Sequence, residues 1–166
     1  MSVTLFAMPQ THLYECSVEW TGAGSAGTAD YRSYERSHVT RGAGRPELLG
    51  SSDPAFRGDS TRWNPELLLV AALSQCHLLQ YLHLCAVNGV TVVAYRDEAV
   101  GAMEEDGVGG GRFSGVELRP VVTVASEEMV PRALELHDEA SAKCFIASSV
   151  AFEVSHEAEI RVGIVA

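Results

Sequence analysis

The sequence predicts an α+β fold, and three features carry that prediction. A nearly all-apolar helical segment opens at Asn64-Pro65-Glu66, two alternating segments flank an acidic, glycine-rich hinge, and a second helical stripe precedes two short closing segments. The element order is therefore strands, helix, hairpin, helix, strands. The chain's 166 residues fit one domain, 1–166, with N-terminal strands and loop over 1–63 and the remaining elements over 64–166.

Residues His12 to Trp20 alternate, with Tyr14, Cys16, Val18 and Trp20 on one face and Glu15, Ser17 and Glu19 on the other. That pattern predicts a half-buried strand with Cys16 packed on its apolar side. Gly22, Gly24 and Gly27 mark a turn before a second strand through Tyr31 to Tyr34 and a third near Val39. Arg41 to Arg62, rich in Gly, Pro and Asp, reads as loop, and a loop of that length in a compact domain is often functional.

Asn64 suits an N-cap, Pro65 the first helical position, and Glu66 the positive end of the helix dipole. The helix is expected over about 65–88, ending at Asn88-Gly89. Leucines and Val70 cover most of its circumference, as in a helix surrounded by protein. Val90–Gly101 and Arg112–Ala125 read as two long strands joined by Glu104 to Gly111. A second helix is expected over about 128–143, with Pro131 tolerated in its first turn and Leu134, His137, Ser141 and Cys144 on one stripe. Phe145–Val154 and Glu159–Val165 read as closing strands.

Composition narrows the function. Twenty-two acidic against 12 basic residues give a formal charge of −10, and the basic residues form no run, which argues against nucleic acid and anionic membrane as partners. Met1 to Gln10 has neither a basic nor a long apolar region, and the apolar run Leu67–Leu73 is too short for a bilayer, so a soluble, cytoplasmic protein is expected. Cysteines at 16, 76, 85 and 144 are too sparse for a disulfide scaffold and lack CxxC spacing.

Taken alone, Cys76 and Cys144 read as packing, because free cysteine behaves as a small hydrophobe. Their positions on two helices, with charged and imidazole neighbours, also suit redox chemistry. Cys85 falls on the opposite face from Cys76 and reads as packing. His83 lies two turns from Cys76 and reads as a core histidine. His77 points about 100° away from Cys76, which argues against a shared metal ion. His137 reads as local packing, and Glu104, Glu105 and Asp106 as a solvated turn.

The run Asn64-Pro65-Glu66-Leu67-Leu68, then Ala71 through Cys76-His77, then Gly89-Val90, resembles the OsmC/Ohr family, named for osmotically induced protein C and organic hydroperoxide resistance protein. The second half adds His137 through Ala140 to Cys144-Phe145-Ile146-Ala147-Ser148-Ser149-Val150. The resemblance covers most of the chain from Asn64 onward. It implies antiparallel sheets wrapped around the long central helix in an intertwined homodimer, with two sites at the subunit interface. It further implies a peroxidase acting on organic hydroperoxides without a metal or bound cofactor, recycled by an external dithiol such as a lipoyl-type carrier. By position Cys76 matches the peroxidatic residue, Cys144 the resolving one and Glu66 the carboxylate that orients an activating arginine. The family places that arginine in a glycine-rich turn after the first strand, where Gly22 to Gly27 has none. Arg36 is the substitute candidate, with Arg32 and Arg62 beside it. Phe145 after Cys144, where Pro is frequent, and His77 after Cys76 resemble a less typical branch.

A peroxidatic sulfur attacks as thiolate, and an unperturbed thiol near pKa 8.5 is only about 3 % ionised at pH 7. An arginine held bidentately by Glu66 would favour the thiolate and stabilise the departing alkoxide. Glu66 and Cys76, ten residues apart, would be about 15 Å apart on a straight helix. Sharing one site then requires either a two-fold arrangement or a break in the helix. The alternatives from other classes are a non-catalytic dimer binding an apolar ligand and a stress-associated interaction protein whose cysteines only pack.

Overall fold

The computed structural model describes residues 10–163. The chain divides into two compact units, Met1–Pro65 and Glu66–Ala166. In the first, β1 (Ser17–Trp20), β2 (His38–Arg41) and β3 (Leu48–Gly50) form an antiparallel sheet in that order. Gly50 faces His38 across the β2–β3 register, and a Cβ there would overlap the imidazole ring.

Three expectations for this unit need correction. The alternation over His12–Trp20 suggests a half-buried strand, yet only Ser17–Trp20 pairs, and its four residues are exposed together with Tyr14 and Cys16. Alternation records which face a strand offers for burial; among the described residues that face is covered only at Trp20, whose ring meets Tyr34 edge-on and whose indole N–H donates to the Glu35 carbonyl (2.8 Å). Tyr31–Tyr34 forms turns rather than a strand, because Ser33 competes for the backbone: its N–H donates to the Asp30 carbonyl (3.0 Å) and its Oγ accepts from Asp30 N–H (3.1 Å). The Arg41–Arg62 loop contains β3 and a 3₁₀ turn, Pro54–Phe56, whose N-cap Asp53 accepts from Ala55 N–H at 2.8 Å.

Helix α1 (Pro65–Val87) opens at the boundary and runs unbroken for 23 residues. Gly89, at φ 72°, ends it: Val90 N–H returns to the Cys85 carbonyl (2.9 Å) in a left-handed cap that glycine adopts without steric cost. By length and composition alone α1 could cross a bilayer. One stripe, Leu73, His77, Tyr81, Leu84 and Cys85, is buried in protein, whereas Leu67, Leu79, Leu82 and Val87 are exposed, so the helix is packed on one side rather than surrounded as expected.

The two long strands expected after α1 each break in two. β4 (Val92–Asp97) and β5 (Val100–Glu105) replace the first, β6 (Gly111–Leu118) and β7 (Pro120–Val124) the second, so the hairpin spans two sheets. The break lies where backbone pairing fails: Arg119 N–H leaves the ladder and donates to Asp97 Oδ1 (2.7 Å), and Pro120 has no N–H to give. Ser74 Oγ of α1 donates to the other Asp97 oxygen (2.5 Å), which ties the helix to this junction.

Helix α2 (Val130–Ala142) follows a 3₁₀ turn at Glu127–Met129 and carries Pro131 in its first turn, as expected. Phe145–Val154 is not a continuous strand. Ser148 and Ser149 hydroxyls donate to the carbonyls of Cys144 (2.9 Å) and Phe145 (2.7 Å), winding a 3₁₀ turn over Ala147–Ser149 before β8 (Glu153–His156). β9 (Glu159–Val162) ends before the expected limit at Val165, which lies outside the described residues. β8 pairs with β6 and β9 with β7, both parallel. The antiparallel sheets implied by the resemblance are therefore mixed, since α2 acts as the crossover that parallel pairing requires.

α1 contributes to two cores in this unit. Leu73 packs with Val116 and Leu118 of β6, while Tyr81, Leu84 and Cys85 pack with Val122 and Val124 of β7 and Ala133, Leu136 and Ala140 of α2. Asp97 sits at the seam. Replacing it by alanine is expected to lower unfolding free energy by about 1–3 kcal/mol, the range for stranding hydrogen-bonded partners. Urea titration of Asp97→Ala checks this; an unchanged midpoint would remove Asp97 from the fold's support.

Candidate active site

Cys76 stands on α1 one turn past Leu73, and Cys144 two residues after α2 ends. The core that packs α1 against α2 brings these thiols close enough for Cys76 to perturb the ionisation of Cys144. Cys76 is partly accessible, whereas Cys144 is 2 % exposed. Burial, then the neighbouring Cys76 thiol, push the Cys144 thiol up to about 11, against a smaller opposing effect of the Ala147 N–H that donates to its sulfur at 3.4 Å. Near neutral pH Cys144 therefore keeps its proton. Both cysteines are free thiols.

The other expected residues lie elsewhere. Glu66 is in the first turn of the same unbroken helix, about 15 Å along its axis from Cys76. Its Oε2 is buried with no hydrogen-bond partner among the described residues. Arg36 belongs to the first unit, where Nη1 donates to the Tyr34 carbonyl (2.7 Å), Nη2 donates to the Tyr31 carbonyl (2.9 Å), and the guanidinium lies over both tyrosine rings. Arg62 pairs with Asp59 at 3.4 Å. Cys85 is buried as expected, whereas His83 and Cys16 are exposed rather than packed. His83 fails because Cys76 already lies to one side of the buried stripe, and seven residues of a 3.6-residue helix leave His83 about 20° short of two turns, farther from that stripe.

Apolar surface flanks the sulfurs. Leu79, one turn beyond Cys76 on its face, is 66 % exposed, and Phe145, next to Cys144, is 80 % exposed.

Sequence reasoning misses an imidazole stack. His77 and His137, each 1 % exposed, are linked Nε2 to Nδ1 at 3.0 Å; the His137 ring stacks on Tyr81 at 3.9 Å, and His156 lies 5.5 and 5.9 Å from the two rings. Burial holds the proton affinity of His77 down to about 4 and that of His137 to about 3, with the neighbouring imidazoles adding to the effect and Asp97 opposing it at His77. The signal was present: Leu73, His77, Tyr81 and Leu84 recur at helical spacing and mark His77 as buried. Among the described residues no group of three or more His, Cys, Asp or Glu has the arrangement of a metal site.

The sequence profile of OsmC-like proteins matches residues 58–159, more than half of the chain, including both cysteines and Glu66. The chain belongs to the OsmC-like family. A solved OsmC-like protein of unknown function from Vibrio cholerae is 30 % identical, with a TM-score of 0.81 over 89 % of this chain and 99 % of its own. Two organic hydroperoxide resistance proteins share the fold at 16 % identity. The one from Legionella pneumophila has a TM-score of 0.63 over 91 % of this chain and 99 % of its own. The one from Elizabethkingia anophelis also has a TM-score of 0.63, over 93 % of this chain and 100 % of its own. No curated protein sequence matches the chain. The α+β fold of this OsmC-like chain, read first from element order, is thus that of the OsmC/Ohr family.

The buried imidazoles give this OsmC-like domain an acid limit. Their folded proton affinities lie below the unfolded value near 6.5, so the unfolded chain binds more protons once pH falls below that value. The stability they hold in full above pH 6.5 should decline by up to about 1.4 kcal/mol per pH unit and per histidine down to about pH 4. Melting temperatures recorded from pH 7.5 to 4.5 check this. In His137→Phe, which keeps an aromatic ring on Tyr81 but cannot titrate, the acid slope should be roughly halved; an unchanged slope would contradict the assignment.

Proposed function

We propose that this OsmC-like protein is a cytoplasmic, thiol-dependent peroxidase that reduces organic hydroperoxides through Cys76 and Cys144. The observation that supports the reading is the proximity of the two thiols: Cys76 is partly accessible, and Cys144 is buried, its ionisation pushed up by burial and by Cys76. Cys76 thiolate attacks the peroxide O–O bond, leaving Cys76 as sulfenic acid while the alkoxide takes a proton and departs as alcohol. Cys144 then attacks the sulfenic sulfur; the disulfide forms and the thiol proton leaves with the hydroxyl as water. An external dithiol, of the lipoyl type in this family, reduces the disulfide by two exchange steps and is itself oxidised. The cycle uses no metal or bound cofactor.

The proposed enzyme is a homodimer without nucleic-acid or membrane partners. Because α1 is unbroken, a Glu66 that serves Cys76 must come from a second copy. Leu67, Leu79, Leu82 and Val87 of α1 are exposed, an apolar surface that a second copy would cover. Glu66, with its unpartnered Oε2, would hold an arginine, for which Arg36 is the candidate. A second reading draws on the same arginine: its commitment to the Tyr31 and Tyr34 carbonyls suits a non-catalytic dimer that binds an apolar ligand.

Peroxide consumption with cumene hydroperoxide and a dithiol separates the two. Cys76→Ser should abolish turnover, and Cys144→Ser should stop cycling after one equivalent and leave one dimedone-reactive sulfenic acid per chain. With Cys144 ionised at only about one part in ten thousand at pH 7, disulfide closure in the native chain should accelerate up to about tenfold per pH unit from pH 7 to 9. Full turnover by Cys76→Ser, or slow and unselective loss of all four thiols, would reject the enzyme.

A further inference from the structure

The first unit holds a cavity of about 500 Å³ lined by Arg32, Arg36 and Arg57 together with Ser51, Glu35 and Asp59. Three arginines line this one concavity, and proteins normally offset such clusters with carboxylates. This chain has carboxylates in excess, 22 acidic against 12 basic residues, and six arginines, at 41, 62, 96, 119, 132 and 161, are paired with them. The three at the cavity are not, and neither are Arg45 and Arg112, which stand apart from it. Among the described residues Arg32 and Arg57 have no side-chain ion pair or hydrogen bond, and Arg36 donates to the Tyr34 and Tyr31 carbonyls, which carry no net charge. The two carboxylates in the wall are engaged: Asp59 accepts from Thr61 and pairs with Arg62, and Glu35 accepts from the Ser37 hydroxyl at 3.3 Å.

The backbone adds an independent observation. Arg57 has φ 65°, and it is the non-glycine residue in the left-handed region among those described. Glycine takes that conformation without steric cost, and glycine follows at once in the chain as Gly58, where a Cβ would overlap the Ser52 carbonyl. Arg57 closes the Pro54–Phe56 turn as its left-handed cap, its N–H donating to the Pro54 carbonyl (3.0 Å), so a strained backbone position lies in the wall of the arginine-lined cavity. Beside it, Ser51 is 1 % exposed and its Oγ accepts from Asp59 N–H (3.1 Å), which leaves the hydroxyl proton to donate.

We infer that this cavity is a binding site for the diphosphate group of a small phosphorylated molecule, held by Arg32, Arg36 and Arg57. Guanidiniums match phosphate oxygens bidentately, three of them balance the charge of a diphosphate, and the volume is that of a small-molecule site. The chain's net charge of −10 disfavours indiscriminate anion binding, so an anion retained here is retained by the site. The cavity lies wholly within the first unit and shares Arg36 with the proposed peroxidase site, so the test rests on Arg32 and Arg57, which that proposal does not use.

Titration calorimetry with inorganic pyrophosphate at low ionic strength, on the full chain, tests it. Saturable binding in the sub-millimolar range is expected, weakened at least about tenfold in Arg32→Gln and in Arg57→Gly. Arg57→Gly should at the same time melt at a higher temperature without ligand, since glycine relieves the backbone, so lost binding cannot be ascribed to lost folding. Arg112→Gln, on β6, should bind as the native chain does. Absence of saturable heat would overturn the site, and so would affinity unchanged in both Arg32→Gln and Arg57→Gly.

Discussion

Helix α1 advances about 1.5 Å per residue from Pro65 to Val87 without a kink, and nearly every feature of the second unit is indexed to that rise. Leu73 enters one core and Tyr81, Leu84 and Cys85 another; between them the helix presents Ser74 to Asp97, Cys76 to Cys144 and His77 to His137. The same rise separates Glu66 from Cys76. A straight helix that fixes the thiol pair within one chain thereby forbids that chain from completing the proposed site with its own carboxylate. In the proposed enzyme, quaternary structure would enter the chemistry through helix geometry.

The thiol pair and the imidazole stack occupy adjacent positions on α1 and pull in different directions energetically. Burying two linked imidazoles costs solvation, which the hydrogen bond between them and the Tyr81 stacking offset in part, and it leaves His137 Nε2 without a partner among the described residues. The benefit is position: the stack joins α1 to α2 one residue from Cys76, so the Cys76 helix is held against the helix whose end carries Cys144. A domain built this way trades acid stability for a fixed distance between two cysteines.

The elements that sequence read well are those whose signals are local. Asn64-Pro65-Glu66 and Gly89 bracket α1 because cap chemistry acts within a turn, and the family motif runs through the same residues. Where the reading failed, the missing information was long-range. The break at Arg119-Pro120 depends on Asp97, 22 residues earlier, taking a backbone proton. The parallel pairing of β8 and β9 depends on a crossover helix, and the exposure of β1 depends on what covers its apolar face, neither of which alternation encodes. Cys76 and Cys144 were legible only through resemblance; their proximity is tertiary. The arginine cavity was illegible because its three guanidiniums come from a turn and from a left-handed residue whose spacing follows no period.

The central claim is that the proposed site is assembled across two copies, Cys76 from one and Glu66 from the other. Mixing Cys76→Ser with Glu66→Gln protomers, each inactive alone, tests it by subunit exchange. If Glu66 acts across the interface, mixed dimers regain one working site, and an equal mixture should recover about a quarter of native peroxide turnover. Mixtures no more active than the separate variants, under conditions where exchange is verified by mass, would contradict the account.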